Sequence, residues 1–96
     1  MDEIVGDLAF IVERLKAAGC RVLLQTVPPF TYTPEKYAMW ETINARLKTE
    51  IAPKADAFFD VVTVLGSDST RYGGHPNEEG CRAWATALKP YLEKLL

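Results

Sequence analysis

The residues of this 96-residue chain that could do chemistry concentrate in one segment, Arg71-Tyr-Gly-Gly-His-Pro-Asn-Glu-Glu-Gly80, which holds its only histidine. An imidazole titrates near neutrality, so His75 could take and return a proton as a general base. Gly73 and Gly74 allow a tight turn or a positive φ before it, and Pro76 fixes the backbone after it. The ring is therefore expected on a shaped loop. Asn77 is expected to cap a following helix, with Glu78 and Glu79 at the positive end of its dipole. The same pattern describes a surface or capping histidine, and residue type and spacing alone favour that plainer role.

A histidine base needs a nucleophile to deprotonate and a carboxylate to hold its tautomer. The only serines are Ser67 and Ser69, and neither is expected on the sharp turn that exposes a catalytic serine. Cys20 as a thiol nucleophile has no sequence feature that would lower its pKa. Asp68, seven residues before His75, is the candidate orienting carboxylate if the loop folds back; Asp60 is the alternative. Cys20 and Cys81 form no CxxC pair and lie on or beside apolar segments, so reduced core thiols are expected. One histidine and two distant cysteines fall short of a zinc ligand set. No metal and no cofactor is expected.

These residues have to be positioned by a helix, strand, helix, strand, helix order. Ile4, Leu8, Ile11 and Leu15 recur at helical spacing between Asp2 and Ala18, widened by Val5 and Val12, and Gly19 supplies a left-handed stop. Arg21 to Val27 is a mostly apolar run suited to a parallel strand buried on both faces, ended by Pro28 and Pro29. Thr33 and Pro34 open a second helix as N-cap and first residue, with Tyr37, Trp40, Ile43, Leu47 and Ile51 on its buried side and Pro53 at its end. Asn44 shares that side, so its amide is expected to find a partner such as a loop carbonyl. Ala57 to Leu65, rich in aromatic and β-branched residues, reads as the second strand. The last helix begins near Glu78, with Cys81, Trp84, Ala85, Leu88, Leu92 and Leu95 on one face, and Pro90 should kink or end it near Lys89. Trp40 and Trp84 are expected in the core. The crossover between the strands is long enough for a right-handed parallel βαβ unit, which predicts a three-layer α/β arrangement.

Composition is that of one small globular domain: 48% hydrophobic and 25% charged residues, with a formal net charge of −2. Such a charge offers no footprint for nucleic acid or an anionic membrane, and neither partner is expected. The acidic start and the absence of a long apolar run predict a cytoplasmic protein. Two strands leave open edges and partly covered apolar faces, and self-association into a homo-oligomer is the expected remedy.

Four segments, LKAAGCRVLLQTVPPF, INARLKTEIA, FFDVV and above all GGHPNEEGCRAWATAL, resemble the C-terminal half of SGNH (GDSL-type) hydrolases, a family of esterases and lipases. The likeness runs from about Ile4 to Leu92 and is most specific at His-Pro-Asn-x-x-Gly. It implies a partial flavodoxin-like three-layer α/β/α sandwich, with His75 as general base for a serine. That family draws its serine from a Gly-Asp-Ser segment, and a glycine and an asparagine of its oxyanion hole from two later blocks; none of these stands in the 96 residues. Its aspartate, three residues before the histidine, is Tyr72 here, and a phenol cannot act as a carboxylate at neutral pH. The expectation is a single truncated domain over residues 1–96, non-catalytic or incomplete, that self-associates. The alternative is an ester hydrolase half in which His75 serves a nucleophile from a missing N-terminal half-domain or another chain. A third possibility is a pocket for a small ester or sugar around His75, Tyr72 and Trp84.

Overall fold

The computed structural model describes residues 2–72 and 76–96, the side chain of Ser69 excepted. Helix α1 (Asp2–Ala17) carries Asp2 and Glu3 in its first turn and Arg14 and Lys16 in its last, the charge order that suits a helix dipole. Gly19 stops it at φ +88°. The Gly19 N–H donates to the Lys16 carbonyl and the Cys20 N–H to the Leu15 carbonyl, each at 3.0 Å, which satisfies the last carbonyls of the helix. The helix buries Val5 and Val12, while Ile4, Ile11 and Leu15 stay 45%, 50% and 42% exposed. The side expected to widen the apolar stripe is thus the one that enters the core.

Strands β1 (Leu23–Gln25) and β2 (Ala57–Phe59) pair in parallel, with Leu23 beside Ala57, Leu24 beside Phe58 and Gln25 beside Phe59. Helix α2 (Pro34–Arg46) crosses between them, and the Thr33 side chain caps it by accepting the Lys36 N–H. The helix then widens into a π-turn, Leu47–Ile51, and tightens into a 3₁₀ turn, Ala52–Lys54. Pro53 has no N–H with which to extend the α-helical ladder. After β2 come the one-turn helix α3 (Val62–Leu65), a 3₁₀ turn (Ser69–Tyr72) and helix α4 (Glu78–Glu93), capped by Asn77, whose side chain accepts the Gly80 N–H at 3.0 Å.

Side-chain alternation along the strands divides the core in two. Leu24 meets Val5, Val12, Leu47 and Ile51 on one face. Phe59 meets Val61, Leu65 and Tyr72 on the other, where Trp84, Ala87 and Leu88 of α4 pack against them. The guanidinium of Arg21 donates to the Leu95 carbonyl and fastens the end of α4 near the start of β1.

The flavodoxin-like three-layer α/β/α sandwich implied by the resemblance is not what forms. The described chain is mostly helical, and its sheet, among the described residues, is two strands of three residues each. The run Ala57 to Leu65 is cut short at Asp60, whose carboxylate accepts the Val62 N–H at 3.1 Å and whose carbonyl accepts the Thr63 N–H at 3.1 Å and the Thr63 hydroxyl at 2.7 Å. These bonds start a helical turn and override the β preference of Val61, Val62 and Val64. Arg21 to Val27 is shortened for a related reason: the Val22 N–H goes to the Asp56 carboxylate at 2.7 Å and the Val27 N–H to the Asn44 side chain at 2.8 Å. Helix α4 runs on through Pro90 to Glu93, because so near its end the ring removes one bond and leaves the earlier turns intact. Both cysteines are free and exposed and do not enter the core.

The Cα envelope measures 39 × 31 × 16 Å with a radius of gyration of 14.1 Å, against about 12.5 Å for a closed domain of this length. This flat shape leaves apolar surface only partly covered.

Gly80 tests the packing of α4. A Cβ there would lie 2.9 Å from Cγ of the Tyr72 ring, so Gly80→Ala is expected to destabilise the fold by about 1–3 kcal/mol in urea unfolding. Gly6 has nothing within 4 Å of the place a methyl group would take, so Gly6→Ala should instead gain up to about 1 kcal/mol from helix propensity alone.

Candidate functional site

In open parallel sheets, ligands bind outside the carboxyl ends of the strands. Here the residues just beyond those ends are Thr26 and Asp60. The Thr26 hydroxyl donates to Asp60 Oδ1 at 3.0 Å and accepts the Val61 N–H at 2.9 Å. Asp60 Oδ1 also takes the Val62 N–H, and Oδ2 pairs with Lys48 Nζ at 3.1 Å across from the π-turn. Asn44 and Trp40 of α2 hold the residue after Thr26: Asn44 accepts the Val27 N–H and donates to the Val27 carbonyl at 3.0 Å, and Trp40 Nε1 donates to that carbonyl at 2.8 Å. The loop partner expected for Asn44 is therefore the backbone of Val27.

Between these groups opens a cleft of about 250 Å³ walled by Thr26, Asn44, Lys48, Asp60 and Ser67. Its chemistry is that of a pinned junction. Both oxygens of Asp60 and the hydroxyl of Thr26 are engaged in bonds that join β1, β2, α3 and the π-turn. Among the described residues, no buried side-chain nitrogen or oxygen lacks a partner. Ser67 lies exposed on the wall and makes no hydrogen bond to a base among the described residues. The polar groups of the wall that reach solvent are the Ser67 hydroxyl, the Glu41 carboxylate and the Lys48 ammonium, whose side chain is 58% exposed while it pairs with Asp60.

The sequence-derived candidates are scattered. His75, with Gly73 and Gly74, lies outside the described residues, as does the side chain of Ser69. Asp68 is exposed, and its Oδ1 accepts the Thr70 hydroxyl at 2.6 Å and the Thr70 N–H at 2.9 Å. The Thr70 hydroxyl and then its N–H hold the Asp68 carboxyl below the ordinary aspartate value of 3.8. Its visible work is to cap the 3₁₀ turn. Asp60 is committed to the strand junction. Tyr72 is buried under Gly80 with the Arg71 guanidinium 5.1 Å from its ring centre, and Trp84 Nε1 donates to Gln25 Oε1 at 2.8 Å from its half-buried place against the core. Neither Tyr72 nor Trp84 borders the cleft at the strand ends, and Trp40 is buried as expected.

Sequence reasoning missed Thr26 and Lys48. The available signal for Thr26 was positional: polar residues just beyond the carboxyl ends of two parallel strands lie at the ligand edge of the sheet; Lys48 carried no such signal. Among the described residues, no group of three or more histidine, cysteine, aspartate or glutamate side chains could hold a metal ion, and no helix is long and apolar enough to cross a membrane.

Two measurements check this assignment. Thr26→Val keeps the shape of a residue that is 4% exposed but orphans the Val61 N–H and one Asp60 contact, so a loss of about 1–3 kcal/mol in chemical denaturation is expected. Because the folded pKa of Asp68 is depressed, its capping contribution is present above pH 3.8 and is lost as pH falls through the folded value. Asp68→Ala should therefore melt lower than the wild type at neutral pH, with the two melting temperatures converging in acid.

No protein-family model, curated protein or solved structure matches the chain.

Proposed function

We propose that this chain is a non-catalytic or incomplete SGNH-hydrolase-like domain that self-associates. The observation that carries the reading is the set of Ile4, Ile11 and Leu15, between 42% and 50% exposed on a helix that buries only Val5 and Val12. Large apolar side chains exposed together on one helix face are the mark of an interaction surface, whereas isolated ones are ordinary. A sheet of two strands adds to the case, since among the described residues each strand has one strand neighbour and no strand on its other edge.

The residues of the His-Pro-Asn-x-x-Gly motif that can be followed support the non-catalytic half of the reading. Asn77 caps α4, and Gly80 makes room for the ring of Tyr72. The carboxylates considered for His75 are engaged elsewhere, Asp68 with Thr70 and Asp60 with Thr26 and Lys48. The motif thus has structural reasons to persist without a reaction. Two exposed, unpaired cysteines fit a reducing compartment, and we place the protein in the cytoplasm.

The test is solution mass by light scattering, with hydrolysis of a short-chain p-nitrophenyl ester measured on the same sample beside His75→Ala. A mass above 10.7 kDa and equal, negligible turnover for both proteins are expected. Turnover well above that of free imidazole, lost in His75→Ala, would establish the ester hydrolase half instead.

A further inference from the structure

The α1 row in which Ile4, Ile11 and Leu15 are exposed and Leu8 is half-buried against the chain's own core has internal order. Ile4, Leu8, Ile11 and Leu15 are spaced four, three and four residues apart, the a and d spacing of a helix that packs along another helix. With Leu8 and Leu15 at a and Ile4 and Ile11 at d, the e positions are Val5 and Val12, and the g positions are Asp7 and Arg14. The structure uses the two flanks differently. Val5 and Val12 are buried in the chain's own core, at 5% and 3% exposure. Beyond them Glu13 pairs with Lys54 at 3.0 Å and Lys16 with Asp56 at 3.3 Å, which closes that flank within the chain.

The other flank is open. Asp7 and Arg14 are exposed and make no ion pair among the described residues; Arg14 lies over the ring of Phe10, 5.6 Å from its centre. They carry opposite charges one heptad apart. When two helices pack antiparallel, g positions face g positions, so a two-fold axis near the middle of the row sets Asp7 against Arg14 of the other copy, twice. The same axis sets Ile4 against Leu15 and Leu8 against Ile11, large apolar residues in each layer, and opposes the two helix dipoles. In a parallel pair, g would face the e valines, and Asp7 and Arg14 would have no charged partner. Charge and shape therefore select one partner and one direction.

We infer that the chain forms a two-fold homodimer through antiparallel packing of α1 on α1, along Ile4, Leu8, Ile11 and Leu15. This rests on the self-association proposed above and assigns it a surface. A helix of 16 residues spans about 24 Å, too short to bury by itself the area of about 800 Å² per partner found in a standard interface. The dimer is accordingly a dissociable one, formed in the micromolar range and driven by concentration.

Sedimentation equilibrium of the full chain across micromolar to millimolar concentrations tests it, with circular dichroism confirming that each variant is folded. Ile11→Lys, at an exposed position, should weaken dimerisation about a hundredfold, because two apolar contacts are lost and two ammonium groups approach each other. Asp7→Arg and Arg14→Asp should each weaken it about tenfold, since each turns two attractive pairs into repulsive ones. Mixing those two variants should restore a heterodimer near wild-type strength, and the double variant Asp7→Arg/Arg14→Asp should recover the homodimer. These last two results cannot come from a general loss of stability. A wild-type dimer that is unchanged in Ile11→Lys and in both charge variants would overturn the inference and move the interface to another surface, such as an open strand edge, with self-association intact. A wild type that stays monomeric throughout would overturn the self-association reading as well.

Discussion

The hydroxyl of Thr26 is the bond on which the rest of this small fold depends. It accepts the N–H of Val61 and donates to Asp60, and Asp60 in turn receives Val62 and pairs with Lys48. Strands β1 and β2, helix α3 and the π-turn are joined through these two side chains. Three-residue strands are below the length at which a ladder holds itself, so the pairing of β1 with β2 relies on what fixes their ends. At the carboxyl end that is the Thr26 and Asp60 junction, backed by Asn44 and Trp40 on Val27. At the amino end it is Asp56, which accepts the Val22 N–H and pairs with Lys16; the Val22 hydrogen bond, ahead of the desolvation that opposes it and of the Lys16 contact, holds its carboxyl below the usual aspartate range.

The same junction explains why the β-branched run after Phe59 turns helical. Asp60 halts β2 and begins α3, and Val61 and Leu65 then turn inward as fully buried residues of a helical turn. Placed there, they form with Phe59 and Tyr72 the small core on which α4 rests. Gly80 follows from this arrangement, for a larger residue would strike the Tyr72 ring. Part of a sequence motif that suggests catalysis is thus accounted for by packing.

A flat molecule with two small cores has more apolar surface than it can cover. On α1 the core takes Val5 and Val12 and part of Leu8 and leaves Ile4, Ile11 and Leu15 exposed. That division follows from geometry: one helix resting on the π-turn and 3₁₀ turn can bury only the narrow arc that faces them, whereas the apolar arc written into α1 is wider. The surplus is ordered, with Asp7 and Arg14 exposed along its open flank.

Local chemistry was legible in the sequence wherever it acts within a few residues. Gly19 as a left-handed stop, Thr33 and Asn77 as caps and Pro34 at the first turn all follow from hydrogen bonds and torsions that a short segment decides for itself. What only the tertiary structure decided was which apolar residues are covered and where strands stop. The β-branched run after Phe59 reads as strand until Thr26, 34 residues away, meets Asp60. The α1 stripe reads as one buried face until the π-turn shows how little of it has a neighbour. The carboxyl-edge cleft escaped notice because Thr26, Lys48 and Asp60 are distant in sequence and become a site only when two parallel strands end side by side. Propensity and capping are local energies; burial and strand length depend on partners that the chain brings together only on folding.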